Sequence, residues 1–223
     1  GRHYDNEGTA QGAEFRVNTT TAARQRRAAI DNDADGDFVV VWDSHYQDGG
    51  FYGVYGQRYN ASGVAQGGEF KVNTYTLQDQ HEPSVAMNAG GDFVIAWESE
   101  SQDGSDEGIY AQRFNAAGVP QGGEFKVNTF TTGPQADTTV GIDASGDFVV
   151  AWQSYQQDGD SDGVYAQCYN ADGLPHGVEF RVNTSTTRGQ RLPSVAMDAA
   201  GDFVVSWYSY RQDGAGYGIY AQR

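Results

Sequence analysis

The stretch Gly91-Asp92-Phe93-Val94-Ile95-Ala96-Trp97-Glu98-Ser99 decides the fold. In an extended strand Phe93, Ile95 and Trp97 point one way, and Val94 and Ala96 point the other. Both faces are apolar, so the strand reads as buried on both sides. Stacked or radial four-stranded sheets supply that double cover. The stretch recurs: Gly-Asp-Phe-Val begins at Gly36, Gly91, Gly146 and Gly201, and leads each time to a tryptophan, Trp42, Trp97, Trp152 and Trp207. Every step is 55 residues, with no insertion or deletion.

Two further motifs keep the same step. Glu-Phe-(Arg/Lys)-Val-Asn-Thr begins at Glu14, Glu69, Glu124 and Glu179, and Gln-Asp-Gly at Gln47, Gln102, Gln157 and Gln212. The second unit reads as four strands: a over 69–74, b over about 83–87, c over 92–99 and d over 109–114. Asn88-Ala89-Gly90-Gly91 is a hairpin signal between b and c. The expected fold is all-β, a four-bladed β-propeller with four antiparallel strands per blade, built from four 55-residue repeats. It is read as one domain over 1–223, with blades about 14–58, 69–113, 124–168 and 179–223. Position 221 is equivalent to position 1, so residues 1–13 are expected to close the ring. The alternative is four modules of a longer linear array. Strand a is expected innermost, which would ring a central channel with Arg16, Lys71, Lys126 and Arg181 and with Asn18, Asn73, Asn128 and Asn183.

Net charge is −16 and the pI is about 4.4, so a nucleic acid or an anionic membrane is repelled on average. No run approaches the roughly 20 apolar residues of a membrane span, so no membrane insertion is expected. The chain begins with Gly1, which suggests a processed or excised piece. The single Cys168 excludes an intramolecular disulfide and stands where other units carry Arg58, Arg113 and Arg223.

The runs Gly68-Glu69-Phe70-Lys71-Val72-Asn73-Thr74, Gly91 to Ser99, Gln102-Asp103-Gly104 and Gly108-Ile109-Tyr110-Ala111-Gln112-Arg113 resemble a known repeat. It is the tandem repeat of large secreted bacterial proteins of the RTX-type, cadherin-like, calcium-binding adhesin kind. The resemblance covers essentially the whole chain. It implies export, an extracellular or cell-surface location and calcium, and it implies no catalytic residue.

Two sets of residues are candidate sites. Asp31, Asp33 and Asp35 alternate around a glycine turn, as do Asp158, Asp160 and Asp162, and alternating carboxylates can converge on Ca²⁺, which takes six to eight oxygens. The competing reading is a solvated acidic turn. Gln47 and Asp48, with their equivalents Gln102, Asp103, Gln157, Asp158, Gln212 and Asp213, could accept sugar hydroxyls at four equal sites whose affinities multiply by avidity. The competing reading is structural, since Asp caps its own turn.

Catalysis finds little in the motifs. His3, His45, His81 and His176 are not equivalent positions, and no Ser/His/Asp motif, zinc spacing or phosphate loop is present. The leading expectation is a non-enzymatic secreted module for binding or adhesion, lectin-like, recognising a glycan or cell surface, with Ca²⁺ the one cofactor suggested. A structural spacer and a glycosidase-like enzyme are the alternatives. The enzyme ranks last because near-identical units are expected to leave no unique asymmetric cleft.

Overall fold

The structure is a computed structural model that describes all 223 residues. Fifteen strands form four antiparallel sheets. The first holds β1 (Gln25–Asn32), β2 (Phe38–His45), β3 (Tyr52–Tyr59) and β4 (Ala65–Lys71) in chain order. The second holds β5 (Gln80–Met87), β6 (Phe93–Glu100), β7 (Glu107–Phe114) and the short β8 (Phe125–Lys126). The third holds β9 (Gln135–Ile142), β10 (Phe148–Tyr155), β11 (Asp162–Tyr169) and β12 (Pro175–Arg181). The fourth has three strands, β13 (Gln190–Met197), β14 (Phe203–Tyr210) and β15 (Tyr217–Gln222).

The sheets stack because the second strand of each is apolar on both faces. Val39, Val41 and Val54 of the first sheet pack on Val85, Phe93, Ile95, Trp97 and Tyr110 of the second. The other face of the second sheet, with Val94, Ala96 and Ile109, packs on Val140, Val150 and Trp152 of the third. The third meets Val205 and Trp207 of the fourth in the same way. Each fully buried large side chain contributes about 1.5–3 kcal/mol. A single Asx turn joins the first two strands of every sheet. Asn88 Oδ1 accepts the N–H groups of Gly90 and Asp92, both at 3.0 Å, and Gly91 takes φ of 86°.

Two expectations are corrected. The strand read as opening each unit instead finishes the sheet before it: β4, which holds Glu69 to Lys71, pairs with β3 at the sheet's edge. The strands brought side by side are β1, β5, β9 and β13. So Arg16, Lys71, Lys126 and Arg181 line no central channel, and Asn73, Asn128 and Asn183 act as buried clasps. Asn73 Oδ1 accepts Val54 N–H at 2.8 Å, while Nδ2 donates to Tyr75 O at 2.7 Å and to Gln80 Oε1 at 3.0 Å. Nor does the N-terminus complete the last sheet. Tyr4 bridges Ala10 and Phe15 N–H donates to Gly1 O at 2.8 Å, so residues 1–15 pair among themselves beside the first sheet. No sheet closes on itself and β15 keeps one unpaired edge.

Candidate active site

The four units share their motifs, and one place where they diverge is an end of the inner strands. A β-bulge interrupts each pairing there, between Arg26 and Ala29 in β1 and between His81 and Ser84 in β5. The bulged residues are Arg27, Glu82, Asp137 and Leu192, with φ of 54°, 51°, 53° and 50°. Left-handed backbone in a non-glycine residue costs on the order of 1–3 kcal/mol and concentrates where a side chain must be re-aimed. Here it turns one arginine, one glutamate, one aspartate and one leucine to equivalent places. The residue before each bulge varies too (Arg26, His81, Ala136, Arg191), as does the facing residue on the second strand (Asp43, Glu98, Gln153, Tyr208). Four equal frames therefore carry four different side chains, which builds an asymmetric centre.

Glu98 is buried, and its Oε1 accepts the backbone N–H of Asp137 at 2.6 Å. Gln153 makes the same bond to Leu192 N–H one unit on, at 3.2 Å. Glu98 Oε2 lies 3.5 Å from His81 Nδ1. Arg27 spans the neighbouring groups, with Nη2 2.6 Å from Glu82 Oε1, Nη1 3.3 Å from His81 Nδ1 and Nη1 3.8 Å from Asp43 Oδ2. Arg26 Nε donates to Asp43 Oδ2 at 3.2 Å and its guanidinium lies 3.9 Å above the Tyr52 ring. On the far side Arg191 Nε donates to Asp162 Oδ2 at 2.5 Å.

Burial and crowding set the proton affinities. Burial, reinforced by the Glu82 charge, pushes the Glu98 carboxyl up to about 9. Asp137, half-buried, is raised by burial and then by the charges of Glu82 and Asp162. Asp43 is raised by burial against the opposing pull of Arg26 and Arg27. Burial, helped by Arg27, lowers His81. A carboxyl that holds its proton next to one that carries an ion-paired charge is the pattern of acid–base chemistry. Donor atoms of His81, Glu82 and Glu98 come within 4.8 Å of one another, but the Arg27 guanidinium already takes the place beside them that a cation would need.

Beside this centre, at the equivalent end of the fourth sheet, a cleft of about 300 Å³ is lined by Arg191, Tyr208, Tyr217, Asp160, Arg188 and neighbouring residues. Tyr208 and Tyr217 meet edge to face at 5.0 Å.

The residues expected as sites from sequence are placed elsewhere. Asp33 Oδ1 accepts the N–H groups of Asp35 and Asp37, as Asn88 does in its own turn, while Asp31 Oδ2 accepts Met87 N–H at 2.7 Å and Asp35 is exposed. Asp158 accepts Asp160 N–H, Asp160 accepts Arg188 N–H and Asp162 pairs with Arg191. Neither acidic set converges on one point. The Gln-Asp-Gly glutamines tie each loop to the outer strand of its own sheet: Gln47 to Glu69, Gln102 to Glu124 at 2.6 Å, and Gln157 to Glu179 at 2.6 Å. Asp48, Asp103, Asp158 and Asp213 cap their own turns, accepting the N–H two residues on. Gln212, in the three-stranded fourth sheet, makes no such bond. Sequence reasoning missed Glu82, Glu98 and Asp137. The available signal was the reverse of the one followed: positions where otherwise matching units differ.

No protein-family profile matches the chain, and no curated protein matches it. Solved structures do match in fold. An endo-arabinase from Bacteroides thetaiotaomicron superposes with a TM-score of 0.54 at 14% identity, over 96% of this chain and 81% of that one. A thermostable family-43 glycoside hydrolase gives 0.54 at 10% identity, over 89% and 71%. An N-acetylgalactosamine deacetylase from F. plautii, in complex with blood group B trisaccharide, gives 0.54 at 11% identity, over 93% and 69%. The chain thus has a β-propeller-like fold shared with carbohydrate-acting enzymes, and the propeller part of the sequence reading stands. The expectation of a non-enzymatic adhesion module is corrected. Several structures that share the fold are enzymes, chiefly glycoside hydrolases, and the repeated frames carry different side chains at their bulges.

Proposed function

We propose that the chain is a carbohydrate-acting enzyme of the glycosidase type, with its reacting groups on the inner-strand bulges. The observation that carries this is the pair Glu82 and Asp137. They are half-buried carboxyl groups at equivalent strained positions of adjacent inner strands, and their environments push their roles apart. Burial and the Glu82 charge raise the proton affinity of Asp137, which suits it to be the acid that protonates the leaving oxygen of a glycosidic bond. Glu82, ion-paired with Arg27, serves as the carboxylate that activates water. Glu98 acts as a positioning residue that fixes Asp137 through its backbone N–H. The tyrosine-lined cleft supplies faces on which a sugar ring stacks.

The substrate class is an oligosaccharide or polysaccharide. Pentose-containing chains are the first to try, because the endo-arabinase shares the fold. Such substrates lie outside the cell, so an extracellular location belongs to the same proposal, and the acidic surface suits it. The test is release of reducing ends from arabino- and xylo-oligosaccharides and from aryl glycosides. Turnover supports the reading, and a folded protein inert across the panel removes it.

A further inference from the structure

The junction between the first and second sheets carries large apolar side chains where the other two junctions carry polar ones. Tyr46 and Phe51, in the loop between β2 and β3, are 60% and 48% exposed, and Leu77, in the loop that leads into β5, is 71% exposed. A Cβ on Gly50 would come within 2.7 Å of Thr76 O, so the two loops lie against each other. The same three positions are Ser101, Asp106 and Thr132 at the second junction, and Gln156, Ser161 and Thr187 at the third. Each junction has a sheet on both sides, so the difference belongs to the residues and not to the cover they receive. Apolar side chains gathered at one exposed place, and not scattered singly, mark a contact surface.

The rings continue inward. Tyr46 stacks on His45 with centroids 3.7 Å apart and 29° between the planes, and His45 stacks on Tyr52 at 4.4 Å and 24°. Asp79, from the loop that leads into β5, holds the inner ring in place: its Oδ1 accepts Tyr52 N–H at 2.9 Å. The Arg26 guanidinium covers Tyr52 and binds Asp43, and Arg27 lies between Asp43 and Glu82. One ladder therefore runs from the exposed Tyr46 to the carboxylate proposed to activate water. The other two junctions lack it, because Glu100 and Glu107 stand in place of His45 and Tyr52 at the second, and Tyr155 and Asp162 at the third.

We propose that Tyr46 and Phe51 form a saccharide subsite, on which one sugar ring of a chain bound at the centre stacks. The identity of the ligand rests on the glycosidase reading, which the subsite extends from one glycosidic bond to a longer chain. A sugar ring presents C–H groups on its faces and hydroxyls around its rim. The face of Tyr46 turned away from His45 takes the C–H groups, with Phe51 beside it. Hydroxyls of the residues that follow meet Arg26, Asp43 and Glu82, the few polar groups that orient a ligand held on an apolar surface. Continuity of the ladder with the centre is the argument for this occupant. Two rings and a guanidinium separate the free face of Tyr46 from the carboxylates, so a disaccharide at the centre does not reach the subsite and a hexasaccharide does.

The test is calorimetric binding of xylohexaose, linear arabinohexaose and xylobiose to the Asp137→Asn chain, alone and with a second substitution. Tyr46→Ala is expected to weaken binding of a hexasaccharide by about 2- to 10-fold, the scale of one aromatic contact, and Phe51→Ala to weaken it as well. Tyr46→Phe keeps the ring and is expected to bind as the parent does. Tyr155→Ala removes an exposed tyrosine outside the ladder and is expected to change nothing. Binding of xylobiose is expected not to depend on Tyr46. All four residue changes fall on exposed side chains, so the variants fold. Failure of both hexasaccharides to bind, Tyr46→Ala and Phe51→Ala chains that bind as the parent does, an equal loss in Tyr155→Ala, or a loss that extends to xylobiose would each overturn the proposal. The glycosidase reading fails separately: a hexasaccharide that binds wild type through Tyr46 and stays uncleaved keeps the subsite and removes the enzyme.

Discussion

Glu98 Oε1 holds the backbone N–H of Asp137 at 2.6 Å, so a buried carboxyl of one sheet fixes the strained bulge of the next. Gln153 makes the same bond to Leu192, which shows that an amide supports the geometry without a charge. Glu98→Gln should therefore keep the fold and alter its pH dependence. In the unfolded chain the carboxyl ionises near its ordinary 4.5; in the folded chain it holds its proton up to about 9. The folded state binds the extra proton in that window, so wild-type stability from this group falls as pH rises from 4.5 to 9. The melting temperature of Glu98→Gln should gain steadily on wild type across that window. Parallel curves would contradict the placement of a buried ionisable group.

The same substitution at equivalent positions should have unequal effects. Ile109→Ala removes a fully buried side chain and should cost about 2–5 kcal/mol in urea unfolding. Ile219→Ala acts on an 80% exposed side chain and should stay within about 0.5 kcal/mol in the monomer. Equal costs would show that the fourth sheet is covered within one chain.

Asn73 ties the edge of the first sheet to the start of the second through three hydrogen bonds. Asn73→Ala leaves Val54 N–H and Gln80 Oε1 short of their partner in a buried place. Denaturant unfolding should show a loss of about 1–3 kcal/mol, and a neutral result would mean that the clasp is not formed.

Asp33 serves its turn as an acceptor, a part that Asn88 plays with an amide. Asp33→Asn should leave the melting temperature unchanged with EDTA or with calcium chloride, while Asp33→Ala lowers it in both. A calcium-dependent rise in wild type that is lost in Asp33→Asn would instead place an ion at Asp31, Asp33 and Asp35.

Much of the fold was legible because it repeats. The doubly apolar alternation of Phe93 to Trp97 forecast a strand packed on both faces, and Asn88 to Gly91 forecast its turn. The frame of the sheet was not legible. Glu69 to Thr74 alternates like any edge strand, and nothing in the alternation says whether it pairs backward with β3 or forward with β5. Ring closure was inferred from the matching of positions 1 and 221, but matching ends do not set the angle between sheets. The site stayed hidden because shared motifs drew attention to Gln-Asp-Gly, whose shared role is to cap a turn and tie a loop to an edge strand. Arg27, Glu82, Asp137 and Leu192 look like drift until the bulge places them in one centre.

The central claim rests on Asp137 and Glu82, and the most direct measurement is hydrolysis of the best oligosaccharide found for wild type by Asp137→Asn and Glu82→Gln. Both variants keep the size and polarity of the bulge residue, so near-wild-type melting curves are expected. The account predicts a loss of at least about 100-fold in kcat for each, the usual scale of a general acid or base. It also predicts that the alkaline limb of the wild-type rate profile, where Asp137 gives up its proton, disappears in Asp137→Asn. Folded variants that retain wild-type rates would contradict the account and move the chemistry away from the inner-strand bulges.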